Sequence, residues 1–194
     1  MNEEAIKELT QKLITKFELK RKQSFIPASV WFSYGSNLDA SYFEEKMRKY
    51  CSKLTLSDTH PSRATLRGFR LMLDNRSSGH VLAYAIHRQE GECVRGITQE
   101  IPSAELANFL RMEGIVKRTE TGRYEVMKNP SYKIIEIDVE ADGATKPAFS
   151  LEGMRPRLRE LNQYVEACKK GAQAWSIIDS TPFSEDLKWL RSKP

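Results

Sequence analysis

The feature that most constrains this chain is the stretch FSYGSNL, Phe32 to Leu38. Val30, Trp31 and Phe32 begin it as a hydrophobic strand. Gly35, Ser36 and Asn37 then break the strand, and Asp39 is placed to cap a helix from Ala40 to about Tyr50. The chain must therefore turn from sheet to helix within a few residues. The apolar face of that helix is expected from Tyr42, Phe43, Met47 and Tyr50. Gly35, Ser36 and Asn37 all tolerate unusual backbone angles. Their amides fall just before a helix N-terminus, where successive N–H groups and the helix dipole attract an anion. Two readings stand: a plain strand-to-helix turn, or a cradle for a carboxylate or a developing oxyanion. The loop lacks the GK[ST] of a Walker A motif, and Tyr34 and Leu38 stand where a nucleophile elbow needs glycines. Ser36 is therefore a poor nucleophile.

The middle of the chain alternates like a sheet and the C-terminal part like helices. Strands are expected at Val30–Tyr34, Ala64–Leu73, Val81–His87, Cys93–Ile101, Tyr132–Val139 and Lys146–Leu151. Turns are expected at Asp74–Gly79 and at Ala141-Asp142-Gly143. A short helix from Ala104 to Met112 is expected with Ser103 as its cap. A later helix should begin near Pro156, present Leu158, Leu161, Val165 and Cys168 on one face, and end with a left-handed Gly171. Thr181-Pro182 should open a last helix bearing Leu187, Trp189 and Leu190. The fold class that follows is α+β with a mixed sheet.

Residues 1–29 read as an N-terminal extension. Ile6, Leu9, Leu13, Ile14 and Phe17 form one face of an amphipathic helix over 2–22. Such a helix docks on its own domain or on a second copy of it in a homodimer. A linker containing Pro27 leads to a single domain, 30–194.

Net charge, cysteines and histidines narrow the function. The charge is +5 and is dispersed over short runs, which suits a solvated face better than a nucleic-acid groove. Cys51, Cys93 and Cys168 form no CxxC pair, and His60, His80 and His87 have no metal-ligand spacing. Neither a disulfide framework nor a metal site is expected. Cys93 and His87 lie near each other in sequence, but nothing orients them as a catalytic pair, so Cys93 is expected to be a buried structural cysteine. The N-terminal MNEEAIKELT has no apolar leader core, and no apolar run approaches the roughly 18 residues of a membrane span. The expectation is a cytoplasmic protein.

Glu113 is the candidate acid or base. Leu106, Phe109 and Leu110 set the inward stripe of their helix, and Glu113 continues it at i+7 from Leu106. A carboxylate held there would be partly desolvated, which suits proton transfer. A helix ending at Met112 would instead turn Glu113 out to solvent before Gly114.

Taken together, these residues resemble the γ-glutamylcyclotransferase-like proteins. Tyr34-Gly35-Ser36-Asn37-Leu38 looks like that family's YGSNL substrate loop. Leu66-Arg67-Gly68-Phe69-Arg70-Leu71 is similar to its L-x-G-[FY]-x-L strand, and Val94-Arg95-Gly96-Ile97 to its V-x-G-[VIL] strand. Glu113-Gly114 is similar to the step carrying the catalytic glutamate. Tyr124 looks like the tyrosine that follows it, and Tyr164 like the tyrosine ahead of a Gly-Ala pair, here Gly171-Ala172. Leu110 stands where the family often has aspartate, and Phe149 where tyrosine is common.

The resemblance implies a partly closed, barrel-like mixed sheet with flanking helices. It implies a cofactor-independent enzyme that cyclises a γ-glutamyl amide to 5-oxoproline and releases an amine. Glu113 would be its acid/base, and Tyr34, Gly35, Ser36, Asn37, Leu38, Tyr124 and Tyr164 would bind the substrate. The substrate's own amine is the nucleophile, so neither a protein nucleophile nor a metal is required. The competing reading is a non-catalytic module on the same fold that binds a small molecule or nucleic acid.

Overall fold

The structure is a computed structural model that describes residues 28–50, 52–72, 80–82, 85–128, 130, 132–153 and 158–177. The amphipathic helix over 2–22, the turn over 74–79 and the last helix after Thr181 lie outside the described residues.

Five strands carry the domain: β1 (Ser29–Ser33), β2 (Ser62–Met72), β4 (Ala85–Ile101), β7 (Tyr132–Ala141) and β8 (Ala144–Gly153). Their pairings close a ring in the order β1-β4-β2-β7-β8. All of these pairs are antiparallel except where β8 runs parallel to β1, at Trp31 opposite Phe149, and to β4, at Ile86 opposite Glu152. The sheet is therefore mixed, and the class is α+β. Strand β7 shows how sequence writes the sheet. Ile135, Ile137, Val139 and Ala141 are buried, while Glu136, Asp138 and Glu140 are exposed, with period two. Asp142 and Gly143 both take positive φ, 52° and 75°, and join Ala141 directly to Ala144. That is the two-residue hairpin turn whose twist matches the strands.

Three small strands were not expected from sequence. β5 (Val116–Arg118) pairs with β6 (Tyr124–Val126) in a hairpin, and β9 (Leu158–Glu160) pairs with β3 (His80–Leu82). Leu158 therefore belongs to a strand and not to the helix. The two strands expected at 81–87 and 93–101 are also rearranged. Residues 85–101 form one strand, and its exposed stretch 88–93 lies opposite a register shift between Arg67 and Phe69. In the polar run Arg88-Gln89-Glu90-Gly91-Glu92 the side chains face solvent, and only Arg88 keeps a ladder partner, Phe69; residues 89–92 bulge out before pairing resumes at Cys93 opposite Arg67. Cys93, expected to be buried, is exposed; Cys168 is buried.

Helix α1 (Ala40–Arg48) begins as expected, with the Asp39 side chain accepting from the Tyr42 N–H at 2.7 Å. Asp39→Ala should lower stability by about 1 kcal/mol, the usual worth of such a cap. Urea unfolding measures it, and an unchanged midpoint would show that the cap contributes nothing. Helix α2 (Ser103–Met112) starts one residue early: Ser103 is its first residue, Pro102 precedes it, and no side chain caps it. Its far end is more informative. Gly114 has φ 71°, its N–H donates to Arg111 O at 3.0 Å, and the Ile115 N–H donates to Leu110 O at 2.9 Å. This is a Schellman closure, sealed by the buried pair Leu110 and Ile115.

Helix α3 (Leu161–Ala174) runs straight through Gly171. The left-handed residue is Ser176, φ 53°, with Ile177 N–H donating to Ala172 O at 2.9 Å. Gly171 serves another purpose, close packing. A Cβ placed there would lie 2.5 Å from Leu38 Cβ and 2.6 Å from Asp39 N.

Candidate active site

The strand-to-helix break is an ordered structure. Tyr34 is extended, Gly35 has φ 66°, and Gly35–Leu38 form one 3-10 turn that leads through Asp39 into α1. The N–H groups that open such a turn have no carbonyl within it to receive them. The turn is held from several sides. Helix α3 lies against it at Gly171, and the Trp175 Nε1–H donates to Leu38 O at 3.1 Å. Upstream, the Ser33 hydroxyl donates to Gln99 Oε1, and Gln99 Nε2 donates to Thr59 Oγ1 at 3.4 Å. Gln99 is fully buried, so this polar chain fixes the end of β1 inside an apolar core.

Above the turn lies a small, partly enclosed crevice with a cavity volume of about 30 Å³. Glu113 lines it and is only 5% exposed. Helix α2 does end at Met112, but Glu113 keeps helical angles, φ −81° and ψ −5°, and its N–H still donates to Phe109 O at 3.0 Å. The Schellman closure reverses the chain only after Glu113, so the carboxylate remains on the inward stripe. The two expectations for Glu113 are thus resolved: the helix ends early and the side chain still points inward.

Glu113 meets the turn directly. Asn37 Nδ2 donates to Glu113 Oε1 at 2.8 Å, across 76 residues of chain. Lys46, from α1, donates to Asn37 Oδ1 at 2.9 Å and stands 3.5 Å from Glu113 Oε1. Burial favours the neutral acid and the neighbouring ammonium favours the carboxylate, so the two act in opposite senses on Glu113.

Of the other residues singled out in the sequence, Tyr34, Ser36 and Tyr164 also line the crevice. Tyr34 donates its hydroxyl to Leu151 O, which ties the start of the turn to β8. Burial above all, then Tyr132 and the Glu113 carboxylate, hold the Tyr34 hydroxyl well above the usual tyrosine range. The folded state therefore keeps this proton longer than the unfolded chain does. The stability this contributes is complete below the unfolded value, about 10, and is lost as pH rises through the folded one. Alkaline unfolding followed by circular dichroism should thus steepen above about pH 10, and Tyr34→Phe should flatten it. An identical alkaline profile in the variant would remove Tyr34 as the cause.

Leu38 is 1% exposed and packs in the core, where its Cβ meets the backbone of Gly171. It supports the turn from beneath and is not part of the crevice wall. Tyr124 lies on β6, in the β5–β6 hairpin, and is not among the crevice residues. Tyr132, at the start of β7, lines the crevice instead. Nothing in its sequence surroundings marks it. Lys46 was also missed, although a signal existed. It falls between Tyr42, Phe43, Met47 and Tyr50 on the apolar face of α1, as Glu113 falls on that of α2. Among the described residues no group of three or more His, Cys, Asp or Glu is arranged to hold a metal ion. No helix among them is long and apolar enough to cross a membrane.

No protein-family model matches the sequence, and no curated protein is significantly similar to it. Solved structures share its fold. One is YkqA from Bacillus subtilis, with a TM-score of 0.59 at 20% identity over 93% of this chain and 60% of YkqA. Another is a γ-glutamyl cyclotransferase, with a TM-score of 0.58 at 18% identity over 86% of this chain and 88% of that one. A third is the uncharacterized protein loc79017 from Homo sapiens, TM-score 0.55 at 18% identity, over 87% and 89%. The chain spans about 60% of the length of YkqA. The fold is γ-glutamylcyclotransferase-like, in agreement with the resemblance of the motifs.

Proposed function

We propose that this chain cyclises a γ-glutamyl amide to 5-oxoproline and releases the free amine. The observation that carries the reading is the contact between Asn37 of the YGSNL turn and the buried carboxylate of Glu113, at the wall of one crevice. The substrate supplies its own nucleophile. Its α-amine attacks the γ-carbonyl carbon, a five-membered ring closes, and the bond from that carbon to the leaving nitrogen breaks. Holding the amine against the carbonyl can contribute roughly 7–11 kcal/mol in favourable cases. Glu113 accepts a proton from the substrate ammonium and returns one to the leaving nitrogen. The amides of the Gly35–Leu38 turn hold the substrate carboxylate or the oxyanion of the tetrahedral intermediate. Tyr164 offers a hydroxyl in the crevice wall, whereas Tyr34 is committed to Leu151 O and shapes the wall.

The test is a panel of γ-glutamyl amino acids, γ-glutamyl amines and glutathione incubated with the protein and assayed for 5-oxoproline. Product from at least one class is expected, and the class names the leaving amine. No product from any of them would leave a non-catalytic binding module as the function of the crevice.

A further inference from the structure

Lys46 is an anomaly on its helix. It is 9% exposed and lies on the buried face of α1 with Phe43 and Met47. Its ammonium stands 5.5 Å from the centre of the Tyr42 ring. Taking an ammonium out of water is costly unless partners satisfy it, and an apolar residue would fill this position at no such cost. What the lysine does is therefore to be sought in its partners.

Those partners form an ordered sequence of donors and acceptors. An ammonium can only donate, and a carboxylate can only accept. Asn37 stands between them and can do both. Its Oδ1 receives Lys46 at 2.9 Å, and its Nδ2 gives to Glu113 at 2.8 Å. With both neighbours in place, only one orientation of the amide satisfies both ends. The Lys46 ammonium also faces Glu113 Oε1 itself at 3.5 Å. Among the described residues, the other titratable groups lining the crevice are phenols: Tyr34 just after β1, Tyr132 from β7 and Tyr164 from α3. Phenols are neutral at neutral pH. Among the described residues lining the crevice, Lys46 is therefore the cation that stands against the carboxylate.

We propose that Lys46 is the positioning residue of this site: it sets the orientation of the Asn37 amide and holds Glu113 ionised when no substrate is bound. The use of that carboxylate as a proton carrier rests on the function proposed above; its ionisation does not. A base must be ionised before it can take the proton of the substrate ammonium. Burial alone would leave Glu113 protonated over more of the working pH range. Lys46 thus acts through Glu113 and Asn37.

The test needs no substrate. The full chain, carrying glutamate with ¹³C at the side-chain carboxyl, is titrated by NMR, and the Glu113 signal is identified by its loss in Glu113→Gln. In Lys46→Met the Glu113 midpoint should rise by about one pH unit or more, the usual effect of removing a cation at this range. Lys46→Arg, which keeps the charge, should move it less. Equal midpoints in the wild-type protein and Lys46→Met would overturn the proposal. Should Lys46→Met not fold, the double variant Lys46→Met, Glu113→Gln decides. Recovery of the fold supports the pairing of the two charges, and continued failure overturns it. With a substrate in hand, the acid limb of the kcat/KM profile should move upward with the midpoint. A flat titration would remove Lys46 while leaving cyclisation intact. Failure of every γ-glutamyl compound would remove cyclisation while leaving the titration result standing.

Discussion

Glu113→Gln should lower turnover of a γ-glutamyl substrate by roughly 10²- to 10⁴-fold, the span expected when a positioned acid/base is removed. Glutamine keeps an oxygen where Oε1 now accepts from Asn37, so the turn and the crevice keep their shape. What is lost is the capacity to take and return a proton. Because the loss lies in the chemical step, kcat should fall and KM should change little. The substitution also leaves Lys46 facing an uncharged group, which should lower stability by about 1–3 kcal/mol. The two effects separate cleanly when kinetics are measured well below the melting temperature. Turnover within a few-fold of the wild-type protein would take Glu113 out of the mechanism.

Gly171→Ala is the second large effect, and its sign is the test. In an exposed helix interior, replacing glycine by alanine stabilises by about 1 kcal/mol. Here the added methyl would lie 2.5 Å from Leu38 Cβ and 2.6 Å from Asp39 N. Two of its three nearest neighbours are backbone atoms of the Leu38–Asp39 step, so the methyl cannot be accommodated by a rotamer change. Either α3 or the turn must move. Overpacking of this kind costs about 1–3 kcal/mol, which outweighs the helix gain. A turn displaced by about 1 Å would also separate Asn37 from Glu113, and misplacement on that scale can cost about 10²-fold in rate. Thermal unfolding together with kcat/KM checks both. A variant more stable than the wild-type protein would mean that α3 does not press on the turn as described.

The match of local expectation and structure is uneven for physical reasons. Asp39 and the Asp142-Gly143 turn were legible because capping and turn chemistry act within four residues. Strand β7 was legible because one side faces water and alternation results. The run Arg88–Glu92 misled because an exposed bulged strand carries the composition of a loop. Gly171 misled because a glycine near a helix end is usually a C-cap, whereas here it is a contact surface for a segment over 130 residues away. Glu113 was half legible. Its phase on α2 pointed inward, but whether the helix ended before it depended on a Schellman closure at Gly114 and Ile115.

By itself, the sequence determined the α+β class, the abrupt strand-to-turn-to-helix passage at Phe32–Asp39 and the inward phase of Glu113. Each follows from steric and solvation preferences that act over one or two turns of chain. Tertiary structure alone decided that Asn37, Lys46 and Glu113 meet, that Tyr132 and not Tyr124 lines the crevice, and that α3 locks the turn through Gly171. Those contacts arise from closing the ring of strands and from which helices then cover its end. Periodicity within a segment carries no information about which distant segment will be its neighbour. FSYGSNL could be recognised as a possible cradle from its own residues, but the carboxylate it faces is brought there only by the fold.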